Sequence, residues 1–328
     1  MTTDFHTLDR TAQAAHWEAL AMKALVHFGL AGASLNLLTD ANNAVYRVDG
    51  GLERFMLRLH RPAHRSRTEI ESERAWLSAL CRETDLCVPQ PVGDIYEGRL
   101  AGVDVPVYAA LFRWIDGEQR LPYDFTREQS EQIGAFIARL HNHSAGHTLP
   151  PGFTRPRRDW AGLFGNDDGT NDDFFTNEQQ AIMAETGRQV RAVMDGVDTQ
   201  PGHFGLIHAD LIAKNLLWKS DLVCAIDFDD CGHGYYLYDL APMLWMSRDE
   251  PGYADLRTGL WTGYTSVRPQ PQAYLAMLEA LVAARHVASC YWVAGNRHNP
   301  NLRDRAHEVI AYRINELRIF LERGALRP

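Results

Sequence analysis

Leu206–Asp230 reads LIHADLIAKNLLWKSDLVCAIDFDD, and no other stretch narrows the options for this chain as much. Two short apolar runs each end in a polar cluster. His208, Asp210 and Asn215 follow the first; Asp227, Asp229 and Asp230 follow the second. Apolar runs of this length bury as strands, and carboxylates directly behind them have to sit at the mouth of the buried layer, because burying them unpaired is costly. Two such mouths so close in sequence are expected to form one site. A lone Asp in a loop is usually a turn or cap residue, so the weight rests on the combination.

The rest of the chain sets the frame for that site. Its 328 residues suffice for one large domain or two smaller ones with a substantial core. A net charge of −9 argues against a nucleic-acid partner, which selects a basic face. The five cysteines are odd in number and lack C-x-x-C spacing, so neither a disulfide scaffold nor a structural zinc site is expected. A reducing, cytoplasmic location fits that usage, and the first twenty residues have no apolar core of signal-peptide type. The apolar stretch from Ala273 to Ala294 is broken by Glu279, Arg285 and His286, and it reads as a buried helix rather than a membrane span.

Periodicity divides the chain into a small β-rich N-terminal lobe and a larger, mainly helical C-terminal lobe, an α+β architecture. A helix is expected to end near Gly29. Strands NAVYRV and RFMLRLH flank the hairpin signal Asp49-Gly50-Gly51. A helix spans about Thr68–Leu80, and two more strands lie near Gly93–Tyr96 and Val105–Phe112. The N-terminal lobe is assigned to residues 1–112, a connector to 113–118 and the C-terminal lobe to 119–328. Ser130–His141 has helical spacing of Ile133, Phe136, Ile137 and Leu140. Residues of about 150–173, rich in Gly, Pro, Asn and Asp, read as an insertion or lid. Helices follow near Asn177–Met194 and along the C-terminal tail. A cleft between lobes is the expected place for a ligand. His141, His143 and His147 do not converge at their spacing and read as helix-end and loop histidines, not a zinc site.

The first cluster has the H-x-D-x-x-x-x-N spacing of a kinase catalytic loop. There Asp210 accepts the proton of an incoming hydroxyl during phosphoryl transfer. Asn215 offers a neutral oxygen to Mg²⁺, His208 supports the loop, and Asp227, ending the second run, is the second metal ligand. Asp229 ranks below Asp227. A phosphotransferase also needs a cation in the small lobe. Arg58 lies on a strand face shared with Met56, which would then line an adenine pocket. Glu73 falls on the inward side of the next helix, where a carboxylate needs a partner, and is matched to Arg58. Glu69, one turn earlier, is the second candidate.

Carrying these residues, the chain resembles the aminoglycoside phosphotransferase superfamily, which includes choline kinases, homoserine kinases of the related type and the bacterial stress-response kinase. The resemblance runs through NNAVYRV, FMLRLHRP, ESERAWL, LFRWIDGE and IGAFIARLHN. It is most specific in HADLIAKNLLW and IDFDDCGHGYYLYDLA. It implies a bilobal, protein-kinase-like fold, ATP with Mg²⁺, Asp210 as catalytic base, and Asn215 with Asp227 as metal ligands. It also implies a hinge at FRWIDGE whose backbone near Arg113 and Ile115 pairs with adenine, and a phosphate-covering loop at Asn42, Asn43 and Ala44. Three positions depart from the family pattern: that loop lacks glycine, Ala209 replaces the usual glycine, and Arg58 replaces the commoner lysine. A guanidinium can still grip phosphate and carboxylate together.

Only eight residues separate Asp230 from Asp239, and there is no A-P-E motif, so a peptide-docking activation segment has no room. The expected acceptor is therefore a small-molecule hydroxyl, with neither nucleic acid nor membrane as partner. Asp167, Asp168, Asp172 and Asp173 would suit an amine-bearing acceptor of aminoglycoside or amino-alcohol type, although charge runs are more often solvated loops. A protein serine/threonine kinase of stress-response type is the alternative, followed by a non-catalytic nucleotide-binding pseudokinase.

Overall fold

The computed structural model describes residues 10–40, 43–100, 102–164, 172–197, 202–297 and 302–324. The chain forms two compact units. One comprises Met1–Asp116 with Leu149–Thr154, the other Gly117–Thr148 with Arg155–Pro328.

In the first unit, helix α1 (Arg10–His27) precedes strands β1 (Ser34–Thr39), β2 (Ala44–Gly50) and β3 (Glu53–Leu59). Helix α2 (Arg67–Glu83) and strands β4 (Pro91–Gly98) and β5 (Val107–Arg113) follow. The strands make one antiparallel sheet in the order β1-β2-β3-β5-β4. Trp17, Leu20 and Leu25 of α1 share a buried cluster with Tyr46, Val48, Phe55 and Leu57 of the sheet. The S-x-x-E sequence at Ser66–Glu69 forms a reciprocal capping box that starts α2. Strand β1 was not anticipated: it is a largely exposed edge strand with an irregular register, so no buried face marks it in the sequence.

The second unit is mainly helical. It contains α3 (Arg127–Gly146), α4 (Trp160–Phe164), α5 (Asn177–Gly196), α6 (Ala241–Met246), α7 (Tyr253–Val267), α8 (Met277–Gly295) and α9 (Ala306–Arg323). Its strands are β6 (Arg157–Arg158), β7 (Phe204–Ile207), β8 (Leu216–Lys219), β9 (Leu222–Ala225) and β10 (Gly232–Tyr235). They form a sheet β6-β10-β7 and a hairpin β8-β9. Helix α8 has the length and composition to cross a membrane, but it packs against α5, α6 and α9 and buries Leu278, Leu281, Val282 and Val287.

Two expectations change. Residues 150–173 are not a detached insertion over their first half, because β6 pairs in parallel with β10 and α4 follows directly. Gly232 permits that approach, since a Cβ there would lie 2.3 Å from the Pro156 carbonyl oxygen. Residues 165–171, including Asp167 and Asp168, lie outside the described residues, and Asp173 is exposed. Also, Cys87 and Cys224 are disulfide-bonded, whereas Cys81, Cys231 and Cys290 are free thiols. An odd count guarantees one unpaired thiol and does not exclude a bridge.

Candidate active site

Strand β7 delivers His208 to a fully buried position, where its Nε2 lies 3.0 Å from the Ile226 carbonyl oxygen. The Asp210 amide donates to His208 Nδ1 at 3.3 Å, so Nε2 is the ring nitrogen left to donate to Ile226. Between them Ala209 adopts a left-handed backbone, φ +69°. The turn is held from below by Asp239. Its Oδ2 accepts the His208 amide at 2.7 Å and its Oδ1 accepts the Ala209 amide at 2.5 Å. His141 Nε2 sits 3.0 Å from the same Oδ2, and its Nδ1 sits 3.1 Å from the Tyr264 hydroxyl. Burial lowers the His141 pKa despite the adjacent carboxylate, so the ring is a neutral donor to Asp239. Sequence reading gave neither Asp239 nor His141 this task. The signal was a carboxylate inside the apolar run Tyr236–Leu240, which demands partners.

Past the turn, Asn215 Nδ2 donates to the Asp210 carbonyl at 2.8 Å and to Asp210 Oδ2 at 3.0 Å. The Asn215 carbonyl accepts the Ile226 amide at 2.9 Å, continuing the hairpin register in which Leu216 faces Ala225. The hairpin therefore brings Asp210, Asn215 and the residue after Ile226, Asp227, into one neighbourhood. Asp227 is exposed and left-handed, φ +65°, whereas Asp229 is buried at 6 % exposure. Arg155 and Arg158, from the segment first read as an insertion, strap this acidic turn. Arg155 donates to the carbonyls of Cys231 (2.7 Å) and Asp229, and Arg158 donates to Asp230 Oδ1 at 2.9 Å. Because the amide of Asn215 turns its nitrogen to Asp210, its oxygen is the end left for a cation. That oxygen and the exposed Asp227 carboxylate are hard donors of the kind Mg²⁺ takes.

Arg285 of α8 donates to Asp210 Oδ1. Both side chains are mostly buried, at 21 % and 14 % exposure. Burial pushes the Asp210 carboxyl above its ordinary range, against the opposing pull of Arg285. The guanidinium of Arg285 also lies 5.1 Å from the ring of Trp245. In the sequence Arg285 registered only as a break in an apolar helix.

In the first unit, Arg58 Nη2 and Glu73 Oε1 are 2.5 Å apart, with side chains 2 % and 0 % exposed. The Arg58 guanidinium also faces Phe112 at 5.1 Å, and Met56, one pleat away, is half-buried opposite Phe112. Asn43 is buried and its Oδ1 is 3.4 Å from the Arg61 amide, while Asn42 lies outside the described residues. The Arg113 amide donates to Gln90 and the Trp114 amide to Arg54, so both are spent on the sheet. The Arg113 side chain pairs with Glu53 at 2.6 Å. Ile115 is the first residue past that ladder.

The sequence model of the phosphotransferase enzyme family matches residues 36–277. An uncharacterised protein of Deinococcus radiodurans is 28 % identical over 276 residues, covering 79 % of this chain and 76 % of that protein. The amicoumacin kinase of Bacillus subtilis is 21 % identical over 235 residues, covering 70 % and 68 % respectively. Among solved structures, a microcompartment-associated aminopropanol kinase superposes with a TM-score of 0.81 at 29 % identity, over 94 % of this chain and 99 % of its own. The amicoumacin kinase hAmiN, solved with AMP-PNP, Ca²⁺ and Ami, shares the fold with a TM-score of 0.77 at 18 % identity, over 94 % and 96 %.

Proposed function

The chain belongs to the phosphotransferase enzyme family, and from that premise we propose that it moves the γ-phosphoryl group of ATP to a hydroxyl of a small molecule, with Mg²⁺ as the metal. The observation that carries this reading is the fixed carboxylate of Asp210, oriented by Asn215 at Oδ2 and by Arg285 at Oδ1. Asp210 accepts the acceptor's hydroxyl proton as the new O–P bond forms and the β–γ bridging bond breaks, releasing ADP. Asn215 and Asp227 would hold the metal, which when bound neutralises charge on the phosphate oxygens. Arg58, held in place by Glu73, presents a guanidinium to the nucleotide phosphates. Its fork does for the triphosphate what a lysine does in most kinases, with the carboxylate fixing its direction. Asp239 and His141 act on the backbone of the Asp210 turn rather than on substrate.

A small-molecule acceptor is favoured over a protein by the residues after Asp230. Gly232–Tyr235 is a strand of the β6-β10-β7 sheet, and Tyr236–Leu240 is a short buried helical turn. Those residues are folded into the unit and do not form a peptide-docking segment. An ADP-release screen over aminoglycosides, amino alcohols, sugars and amino acids tests the reading. Acceptor-dependent ADP formation that stops when EDTA removes Mg²⁺ is expected. Turnover that survives EDTA, or ADP formation indifferent to every acceptor, would contradict it.

A further inference from the structure

We propose that the acceptor carries a carboxylate as well as its hydroxyl, and that Arg285 and Arg313 recognise it. This rests on the kinase reading above, since it concerns the wall beside Asp210. Three helices build that wall: Trp245 from α6, Arg285 and His286 from α8, Arg313 from α9. Arg285 and Arg313 both lie against the Trp245 ring, at 5.1 and 4.1 Å. An aromatic surface of this kind holds guanidinium planes flat and leaves their edges for ligands.

The guanidiniums in this region are not all paired at close range. Arg248 is matched by Glu279 at 3.5 Å and Glu316 at 3.6 Å. Arg285 is matched by Asp210. Arg313 is half-buried, yet among the described residues no carboxylate lies within ion-pair distance of it. Asp249, which attracts Arg313 from outside ion-pair distance, accepts from the Tyr312 hydroxyl. The Nε atoms of Arg285 and Arg313 and the Nε1 of Trp245 are buried donors without a hydrogen-bond partner. Arg313 thus lies against the same ring as the Arg285 of the Arg285–Asp210 pair, without a carboxylate of its own at ion-pair distance. An unpaired, partly buried cation is expensive, and an anion that completes the set removes the cost. A carboxylate supplies two acceptor oxygens in the geometry of a guanidinium edge. Burial lowers the pKa of Arg313 and the neighbouring Arg285 adds to that, against the opposing pull of Tyr312, Cys290 and Asp249.

Matched pairs differing by one carboxylate test the proposal: L-serine against ethanolamine, and L-threonine against 1-amino-2-propanol. Binding is measured by calorimetry on the full chain with a non-hydrolysable ATP analogue, and turnover by ADP release with ATP. The carboxylate member is expected to bind tighter by about tenfold or more, the range of a charge-assisted hydrogen bond. Arg313→Gln should erase that ratio, and Arg313→Lys, which keeps the charge but not the fork, should retain part of it. Equal or tighter binding of the decarboxylated members, or no binding by either member of a pair, overturns the proposal. Carboxylate-selective binding with no ADP formed from any acceptor would instead leave the anion site standing and sink the kinase reading.

Discussion

Ala209 shows how much rests on one backbone angle. Its left-handed conformation lets the amides of His208 and Ala209 both reach Asp239. An L-residue with a Cβ pays roughly 1–2 kcal/mol for that region, and glycine pays little. Ala209→Gly is therefore expected to raise stability by about 0.5–1 kcal/mol, after the extra unfolded-state entropy of glycine is subtracted. Urea denaturation of the two proteins measures it, and a loss of stability would show that the turn is not strained. The sequence marked Ala209 only as a departure from the glycine usual in the family it resembles. Glu73 was legible more directly, because its position on the apolar side of α2 required a cation and Arg58 was the available one. Arg285 and Asp239 were not legible in that way: each reaches across from a distant part of the chain, and helix or turn spacing alone carries no information about such a meeting.

At the level of elements, the packing of α3 on α7 depends on small residues. A Cβ at Gly134 would fall 2.2 Å from the Leu260 carbonyl oxygen, and one at Gly263 would fall 1.8 Å from that of Glu131. The backbones approach closely only because those positions lack side chains. Gly263→Ala should therefore destabilise the second unit by about 1–3 kcal/mol through overpacking, read as a lower denaturation midpoint at unchanged slope. An unchanged midpoint would mean that the helices shift apart at no cost. This crossing also presents Tyr264 to His141, so it supports the Asp210 turn at one remove. Elements with a buried periodic face were readable from sequence, including α2, α3 and the β2-β3 hairpin. Strand β1 had no buried face, and β6 has two residues and exists only because β10 accepts it.

For the whole molecule, two fully buried histidines link stability to pH. Burial lowers the pKa of His141, and burial together with Arg313, Arg248 and Arg285 lowers that of His286 well below 6.5. The unfolded chain takes up protons at these positions as pH falls through about 6.5, while the folded chain resists. Protons then bind the unfolded state preferentially, so this contribution to stability is full above that pH and is lost below it. Denaturation at pH 7.5 and 5.5 should show the loss, and His286→Gln should narrow the gap; an equal gap in the variant would acquit His286 of any part in it. Fold class and the meeting of Asp210 with Asn215 were legible because their residues lie in short, ordered motifs such as HADLIAKNLLW. Arg285 beside Asp210 was not, because it comes from α8, whose meeting with that turn only the tertiary structure reveals. The most direct measurement is γ-phosphoryl transfer from ATP by Asp210→Asn against the unaltered chain, with nucleotide affinity determined on the same samples. Retained nucleotide binding is expected, with transfer slowed by roughly 10²–10⁴-fold, the range of a lost general base; transfer at the original rate would contradict the role assigned to Asp210.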